Sequence, residues 1–352
     1  MNALELDTAR MSDDGSALLI LDQTLLPTTV KVLSLTRAKD IWEAIKTLRV
    51  RGAPAIGVAA AYGAALSARQ SEADNVPALL NELHGACQYL STARPTAVNL
   101  TWALDRMEKC ARDNASLDVC ALKARLMAEA HAIRDEDIAI SRSIGTIGAE
   151  LLKTGCGILT HCNAGTLATA KYGTALAPVY IALEQGRADL RVYCDETRPL
   201  LQGARLSAFE MVSAGVDTTL LCDNMASYAM AKGLIDIVFV GCDRVARHGD
   251  AADKIGTSGV AILARHYGIP FYVCAPSSTI DMSLATGAEI PIEQRDGREV
   301  TEMWYKERMA PEGVKVLNPA FDVTDSSLIT GIITEKGMAK APFDRAFEEL
   351  GI

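Results

Sequence analysis

Most motifs that identify a nucleotide or zinc protein are missing from this 352-residue sequence. Neither G-x-G-x-x-G nor G-x-x-x-x-G-K-[ST] occurs, which disfavours a bound dinucleotide or nucleoside triphosphate. The nine cysteines form no C-x-x-C pair, and the five histidines form no H-x-x-x-H or H-E-x-x-H pattern. The sequence therefore predicts no zinc site.

Long apolar runs and blocks of basic residues are also missing. No stretch approaches the ~18 apolar residues of a membrane span, and the first residues do not resemble a secretory signal. The net charge is −9 and the basic residues are scattered singly, which argues against a nucleic-acid surface. An odd number of loosely spaced cysteines disfavours a disulfide framework. We expect a soluble, cytoplasmic protein with no nucleic-acid or membrane partner.

The length predicts two domains, at about 150 residues each. We place an N-terminal domain, a small antiparallel sheet plus helices, at residues 1–130 and a catalytic domain at residues 131–352. Alternating runs before and after Pro27 predict the small sheet. Pro54 begins a helix of almost entirely small residues, which we expect to be closely buried. Residues 117–150 read as one long helix, or two joined ones, between the halves.

In the second half, apolar strands alternate with helices. Five candidate strands end near cysteines: GILTHC, DLRVYCDE, TTLLCD, IDIVFVGCD and PFYVCAP. The intervals leave room for one crossover helix each, and the helices stop at glycines: Gly186, Gly215, Gly233 and Gly268. The predicted fold class is α/β, with a C-terminal, doubly wound, mostly parallel Rossmann-like sheet and a smaller N-terminal α+β domain.

The stretch GCGILTHCNAGTLAT (155–169) indicates a strand, a tight turn and a helix that starts at Thr166. Ligands bind at the carboxyl edge of such sheets, so Cys162 in the turn is the first candidate for chemistry. For the other strand-end cysteines, core packing is the simpler interpretation.

Three carboxylates follow strand-end cysteines directly: Asp195, Asp223 and Asp243. Helix capping is the alternative role for each, and is favoured for Asp223. Asp243 ends the most apolar strand, where desolvation would raise its pKa into a range suited to proton transfer. A structural role and a catalytic role remain equally open for it.

Three cations are candidates for binding an anion. Arg51 and Arg94 each stand beside a proline-containing break, where backbone N–H groups could share a phosphate. Lys254 is predicted at the start of a helix, whose dipole would assist it. Single cations of this kind are more often solvated surface groups.

Seven motifs, in order along nearly the whole chain, resemble the 5-methylthioribose-1-phosphate isomerase family of methionine salvage. Its relatives include ribose-1,5-bisphosphate isomerases and the regulatory subunits of the exchange factor for translation initiation. The motifs are RGAPAIGVAAAYG, ARPTAVNL, THCNAG, DETRPLLQGARLSAFE, DNMASYAM, GCDRVARHGDAADKIGT and NPAFDVTDSSLITGIITEKG.

The resemblance implies an aldose–ketose isomerisation without metal or organic cofactor, by a homodimer. Because C1 carries phosphate, the ring must open by protonation of its oxygen. That role falls to the residue matching Asp243, with Cys162 assisting at C1–C2. The substrate contacts that carry over are Arg51, Gly52, Ala53, Arg94, Gln202 and Lys254.

One position departs from the family pattern, which usually has Asn where this chain has Asp253. An acidic group beside Lys254 weakens anion attraction unless it points away or is protonated. The change also suggests an altered preference at the sugar 5-position, with 5-deoxyribose 1-phosphate as an example. Two alternatives remain, a non-catalytic regulatory subunit that binds a sugar phosphate or nucleotide, and a nucleotide-sugar binder with the same sheet.

Overall fold

A computed structural model describes residues 7–95 and 97–352 of the chain. Thr96 of the ARPTAVNL motif, like residues 1–6, lies outside the described residues. Contacts divide the chain into two compact units. The first holds described residues up to Ala139 together with Thr166–Gly173, and the second holds Ile140–Gly165 and Thr174–Ile352.

The first unit combines a three-stranded sheet with a helical layer. Its antiparallel strands follow chain order, as expected for a meander: β1 (Ala9–Met11), β2 (Leu18–Leu21) and β3 (Val32–Leu35). The helices are α1 (Ala38–Lys46), α2 (Ala53–Gln70), α3 (Val76–Ser91), α4 (Val98–Asp113) and α5 (Val119–Ala149). The last is a single helix that contains both the predicted domain boundary and the point where the second unit begins.

Helix α2 is the centre of the first unit because its side chains are small. Thirteen of its 18 residues are buried, as expected from its composition. A Cβ on Gly57 would lie 3.0 Å from the carbonyl oxygen of Asn99, so α4 packs directly on the α2 backbone. The close packing fixes where the first turns of these two helices meet.

The second unit is built on a seven-stranded sheet with the order β14-β13-β10-β7-β4-β5-β6. Its strands are β4 (Gly157–Thr160), β5 (Arg191–Asp195), β6 (Asp217–Leu221), β7 (Ile237–Val240), β10 (Phe271–Cys274), β13 (Gly331–Thr334) and β14 (Gly337–Ala339). All neighbouring pairs are parallel except β13 with β14. Strands β4, β7, β10 and β13 are buried throughout, as a sheet covered on both faces requires. The predicted fold class is confirmed.

A smaller sheet follows β7 and has the order β11-β8-β9-β12. Its strands are β8 (Arg244–Ala246), β9 (Ala251–Lys254), β11 (Ile280–Asp281) and β12 (Phe321–Thr324). The helices of the unit are α6 (Ala177–Glu184), α7 (Ala208–Ser213), α8 (Ala226–Ala231), α9 (Thr257–Tyr267), α10 (Arg298–Thr301) and α11 (Phe343–Glu349). None of the helices in the described part of the chain is long and apolar enough to cross a membrane.

Two local predictions are wrong. Thr166 opens a three-residue 3-10 turn, and the next α-helix begins only at Ala177. Lys254 ends strand β9, and α9 starts at Thr257. The four predicted helix-ending glycines all have positive φ, between 66 and 82°, which confirms that part of the pattern.

Candidate functional site

Cys162 and Asp243 follow the two strands that flank the point where the sheet reverses its order. From β4 the chain adds β5 and β6 on one side, then returns to add β7, β10 and β13 on the other. Strands β4 and β7 are hydrogen-bonded neighbours. Crossover connections diverge at such a switch point and leave a crevice at the carboxyl ends of the strands. The topology therefore places both predicted catalytic residues at the expected ligand position.

The backbone of Cys162 is held in a conformation that is unfavourable for a residue with a side chain. Its φ is 64°, and such left-handed residues persist only where surrounding contacts enforce them. The Cys162 N–H donates to Thr197 Oγ1 at 2.8 Å, and its carbonyl oxygen accepts from Ser207 Oγ at 2.7 Å. Two different elements thus clamp the peptide groups on both sides of this residue, which is 9% exposed.

The rest of the turn is anchored by a buried glutamate that the sequence analysis missed. Asn163 Nδ2 donates to Glu210 Oε1 at 2.8 Å, and the Tyr180 hydroxyl lies 2.8 Å from Glu210 Oε2. A Cβ on Gly165 would lie 2.1 Å from the same carboxylate, so the turn requires glycine there. A charged residue in the apolar sequence LSAFEMVSAG was the available signal for this role.

A buried His161–Asp195 pair lies directly before the Cys162 turn. Nδ1 of His161 is 3.0 Å from Asp195 Oδ2, and Nε2 is 2.9 Å from the Ile255 carbonyl oxygen. The carbonyl can only accept, so Nε2 carries a proton, and a second proton must lie between Nδ1 and the carboxyl group. Burial lowers the pKa of His161, but its bonds to Asp195 and Ile255 outweigh this and raise it overall. The pair is therefore neutral as a whole.

Asp223 binds the neighbouring loop instead of capping its own helix. Its two carboxylate oxygens accept from the backbone N–H groups of Thr197 and Arg198, both at 2.7 Å. Asp223, His161 and Asp195 have potential metal-ligating atoms within 4.8 Å of one another. Both oxygens of Asp223 and both ring nitrogens of His161 already have protein partners, so these side chains form a hydrogen-bonded support for the Cys162 turn.

The two acidic candidates of the β7–β9 region differ in burial. Asp243 is exposed, whereas Asp253 is 7% exposed. Burial, and secondly the charge of Asp243, raise the pKa of Asp253 to about 7. The burial that the sequence analysis expected at Asp243 is therefore found at Asp253.

Lys254 and Gln202 lie at the ends of secondary-structure elements: Lys254 is the last residue of β9, and Gln202 directly precedes a helical turn. Lys254 Nζ donates to the Ala320 carbonyl oxygen at 2.9 Å and lies 4.3 Å from the ring centroid of Phe321. Gln202 is 7% exposed and precedes the π-helical turn Gly203–Ser207. Its Oε1 has no hydrogen-bond partner among residues 7–95 and 97–352. Such buried, unsatisfied acceptors are rare and mark a position where a ligand could bind.

In the first unit, the predicted anion-binding residues stand at helix starts. Gly52 has φ 91° and precedes α2, which begins at Ala53, and a Cβ on Gly52 would lie 2.3 Å from the Ala168 carbonyl oxygen. The first turn of α2 contains no acidic residue. Arg51 lies before this start, and Arg94 lies before the start of α4. Because the first turns of α2 and α4 pack together, two partly positive helix ends converge in this region.

Comparisons with known proteins agree with this architecture. A sequence model described as the initiation factor 2 subunit family matches residues 49–341. Methylthioribose-1-phosphate isomerase of Symbiobacterium thermophilum is 60% identical over 346 residues, covering 98% of this chain and 96% of that protein. The 5-deoxyribose 1-phosphate isomerase of Bacillus cereus is 54% identical over 334 residues, covering 95% and 96%.

Among solved structures, the 5-methylthioribose 1-phosphate isomerase of Pyrococcus horikoshii superposes with a TM-score of 0.94 at 42% identity. It is matched over 99% of this chain and 97% of its own. The resemblance inferred from the sequence motifs is thus confirmed. With a family match from residue 49 to residue 341 and full-length relatives above 50% identity, this chain belongs to the initiation factor 2 subunit family.

Proposed function

We propose that this protein is an aldose–ketose isomerase that converts 5-methylthio-D-ribose 1-phosphate into 5-methylthio-D-ribulose 1-phosphate in methionine salvage. The observation that carries the proposal is that Cys162 and Asp243 follow the adjacent strands β4 and β7 at the switch point of the sheet. The names of the 60%-identical and 54%-identical relatives support it. The second name makes 5-deoxyribose 1-phosphate a further candidate substrate.

Phosphate on C1 determines what the first step requires. The sugar has no free hemiacetal, so the bond between C1 and the ring oxygen opens only when an acid protonates that oxygen. Asp243 takes this role in the proposal, and its exposure at the end of β7 leaves it accessible to a ligand. Protonation of a leaving oxygen by a positioned acid typically contributes 10²- to 10⁴-fold to the rate.

Isomerisation then moves one hydrogen from C2 to C1 and removes the proton of the C2 hydroxyl. The hydrogen moves either as a proton, through an enol of the C1–C2 bond, or as a hydride to the C1 cation. Both routes conserve atoms and electrons, so no redox cofactor is needed. We assign Cys162 to the C1–C2 centre, where its enforced backbone geometry fixes the position of the thiol.

Substrate-binding roles are assigned in each unit by itself. In the first unit, Arg51, Gly52, Ala53 and Arg94 supply cations and helix N-termini for phosphate. In the second unit, Gln202 supplies an unpaired acceptor for a sugar hydroxyl, and Lys254 and Asp253 are assigned further substrate contacts.

Turnover is the decisive test. NMR should show conversion of 5-methylthioribose 1-phosphate to its ketose, and Cys162→Ser and Asp243→Asn should each lower kcat by about 10²-fold or more. Cys222→Ser and Asp217→Asn, exposed positions at the two ends of the β6 region, are matched controls that should keep full activity. Full activity in either site variant would remove that residue from the mechanism.

The family description supports one alternative function. Because the matching family is named for an initiation factor subunit, a non-catalytic subunit that only binds a sugar phosphate or nucleotide is the competing proposal. It predicts saturable binding of the substrate without conversion, even at high protein concentration and long incubation.

We also propose that the enzyme works in the cytoplasm as a homodimer. The nine cysteines, all within the described residues, form no disulfide bond with one another, which suits a reducing compartment. The edge strand β6 and the nearby helices expose large apolar side chains, among them Leu220 at 51%, Val212 at 64% and Tyr228 at 65%. Light scattering on purified protein measures the oligomeric state, and a monomeric mass would contradict the dimer.

A further inference from the structure

Asp253 occupies an unusual position for a carboxyl group. It is the third residue of the four-residue strand β9 and is 7% exposed. In the register between β9 and β12 it lies directly opposite Asp322, another acidic residue. On its other side, the N–H of Asp243 donates to the carbonyl oxygen of Ala252, the residue before Asp253, at 2.9 Å. Asp253 thus lies between two other aspartates.

Thr257 gives the Asp253 carboxylate little support. The Thr257 hydroxyl donates to the Lys254 carbonyl oxygen at 2.7 Å, and its contact with Asp253 Oδ2 is longer, at 3.3 Å. A hydroxyl group has one proton, so the shorter bond to the carbonyl oxygen takes the larger share of it. A hydrogen bond this weak does little to stabilise a negative charge on Asp253.

The surrounding charges act in both directions. Asp243 and the Cys242 thiol face Asp253 from the segment between β7 and β8, and Asp322 faces it from β12. Each of these groups would repel the negative charge of Asp253 when ionised. His161, the Lys254 ammonium group and the Lys254 backbone N–H stabilise the negative charge and therefore lower the pKa of Asp253.

The opposing cations do not neutralise the site. Lys254 Nζ donates to the Ala320 carbonyl oxygen, and His161 is hydrogen-bonded to Asp195. Burial and the charge of Asp243 outweigh both, so the pKa of Asp253 is raised to about 7. Burial and the neighbouring carboxylates thus both favour the acid form.

We propose that Asp253 is a neutral carboxylic acid in the substrate-binding form of this isomerase, and that loss of its proton weakens binding of the sugar phosphate. The inference rests on the proposed function. An ionised Asp253 would place a negative charge in a site that must accept a doubly charged phosphate ester. A neutral Asp253 avoids that repulsion.

Asp253→Asn tests the proposal because a carboxamide has nearly the same shape, keeps an oxygen that can accept from Thr257 and does not ionise. The Michaelis constant should be measured from pH 5.5 to 9 for both proteins. For the unmodified enzyme we expect KM to rise about tenfold per pH unit above neutrality, whereas the variant should show no such rise. The phosphate ester titrates identically in both experiments, so the ratio of the two KM values isolates Asp253. Asp217→Asn, an exposed control on β6, should follow the unmodified enzyme.

A second measurement reports the proton directly. In protein labelled with ¹³C at the aspartate carboxyl carbon, the resonance missing from Asp253→Asn belongs to Asp253. A titration of its chemical shift with a midpoint near neutral pH supports the proposal. A midpoint below pH 5 overturns it, whatever the substrate. Normal turnover with identical pH dependence of KM in both proteins would overturn the inference alone. An absence of turnover in the unmodified protein would overturn the proposed function, and with it the substrate role of Asp253.

Discussion

Replacing Asp253 by Asn should change how the stability of this protein depends on pH, in the direction opposite to that of an ion-paired carboxylate. The pKa of Asp253 rises from an ordinary 3.8 to about 7 in the folded protein. Between these values the folded state binds the proton and the unfolded chain does not. Raising the pH therefore favours the unfolded chain, and the destabilisation is complete above pH 7.

The magnitude follows from the size of the shift. Each pKa unit corresponds to about 1.4 kcal/mol, so a shift of about three units costs roughly 4 kcal/mol of unfolding free energy above pH 7. Asn carries no such cost. Relative to the variant, the unmodified protein should lose about this amount between pH 4 and pH 7. At about 2–4 °C per kcal/mol, the two melting temperatures should diverge by on the order of 10 °C.

Calorimetric melting of both proteins from pH 4.5 to 8.5 checks this expectation. Terms from other buried groups, such as Asp137, whose pKa burial also raises to about 7, are common to both proteins and cancel in the difference. Asp74→Asn, at an exposed position, controls for the chemistry of the substitution. Parallel melting curves across the whole pH range would refute the conclusion that Asp253 is protonated at neutral pH.

Two further substitutions test the supports of the site. Thr197→Val removes the acceptor of the Cys162 N–H and leaves a buried donor unsatisfied, which lowers the unfolding free energy by about 1–3 kcal/mol. We expect kcat to fall by at least about tenfold with KM little changed. Unchanged kinetics would contradict the conclusion that Thr197 positions Cys162. Gly52→Ala should destabilise the folded protein by more than about 2 kcal/mol, because its Cβ would lie 2.3 Å from the Ala168 carbonyl oxygen at φ 91°. Gly85→Ala, with open space around it in α3, should instead stabilise the folded protein by up to about 1 kcal/mol. Equal melting temperatures for the two variants would contradict this expectation.

Local patterns were sufficient for the strands of the large sheet that carry the site. Buried parallel strands are apolar on both faces, so runs such as IVFV and FYVC stand out from the helices between them. The glycines that end the helices between these strands are also local signals, because they mark helix ends. Gly186 and Gly268, for example, adopt the left-handed conformation that other residues avoid. These features depend on a few neighbouring residues.

The small sheet was not predicted, for an equally physical reason. Strands β8 and β9 are three and four residues long, too short to show an alternating pattern, and three of their seven residues are Ala. They are stabilised by pairing with β11 and β12, which come from residues far along the chain. Lys254 was assigned to a helix because that pairing is invisible locally.

The sequence by itself determined the residue types, the order of the strands along the chain and the likeness to a sugar-phosphate isomerase family. Only the tertiary structure decided that β4 and β7 are neighbours, which brings the Cys162 turn and the Asp243 strand end to one switch point. It also decided which of two aspartates ten positions apart is desolvated. Desolvation depends on every chain segment that covers a group, and Asp253 is covered by β12 and α9 while Asp243 remains exposed.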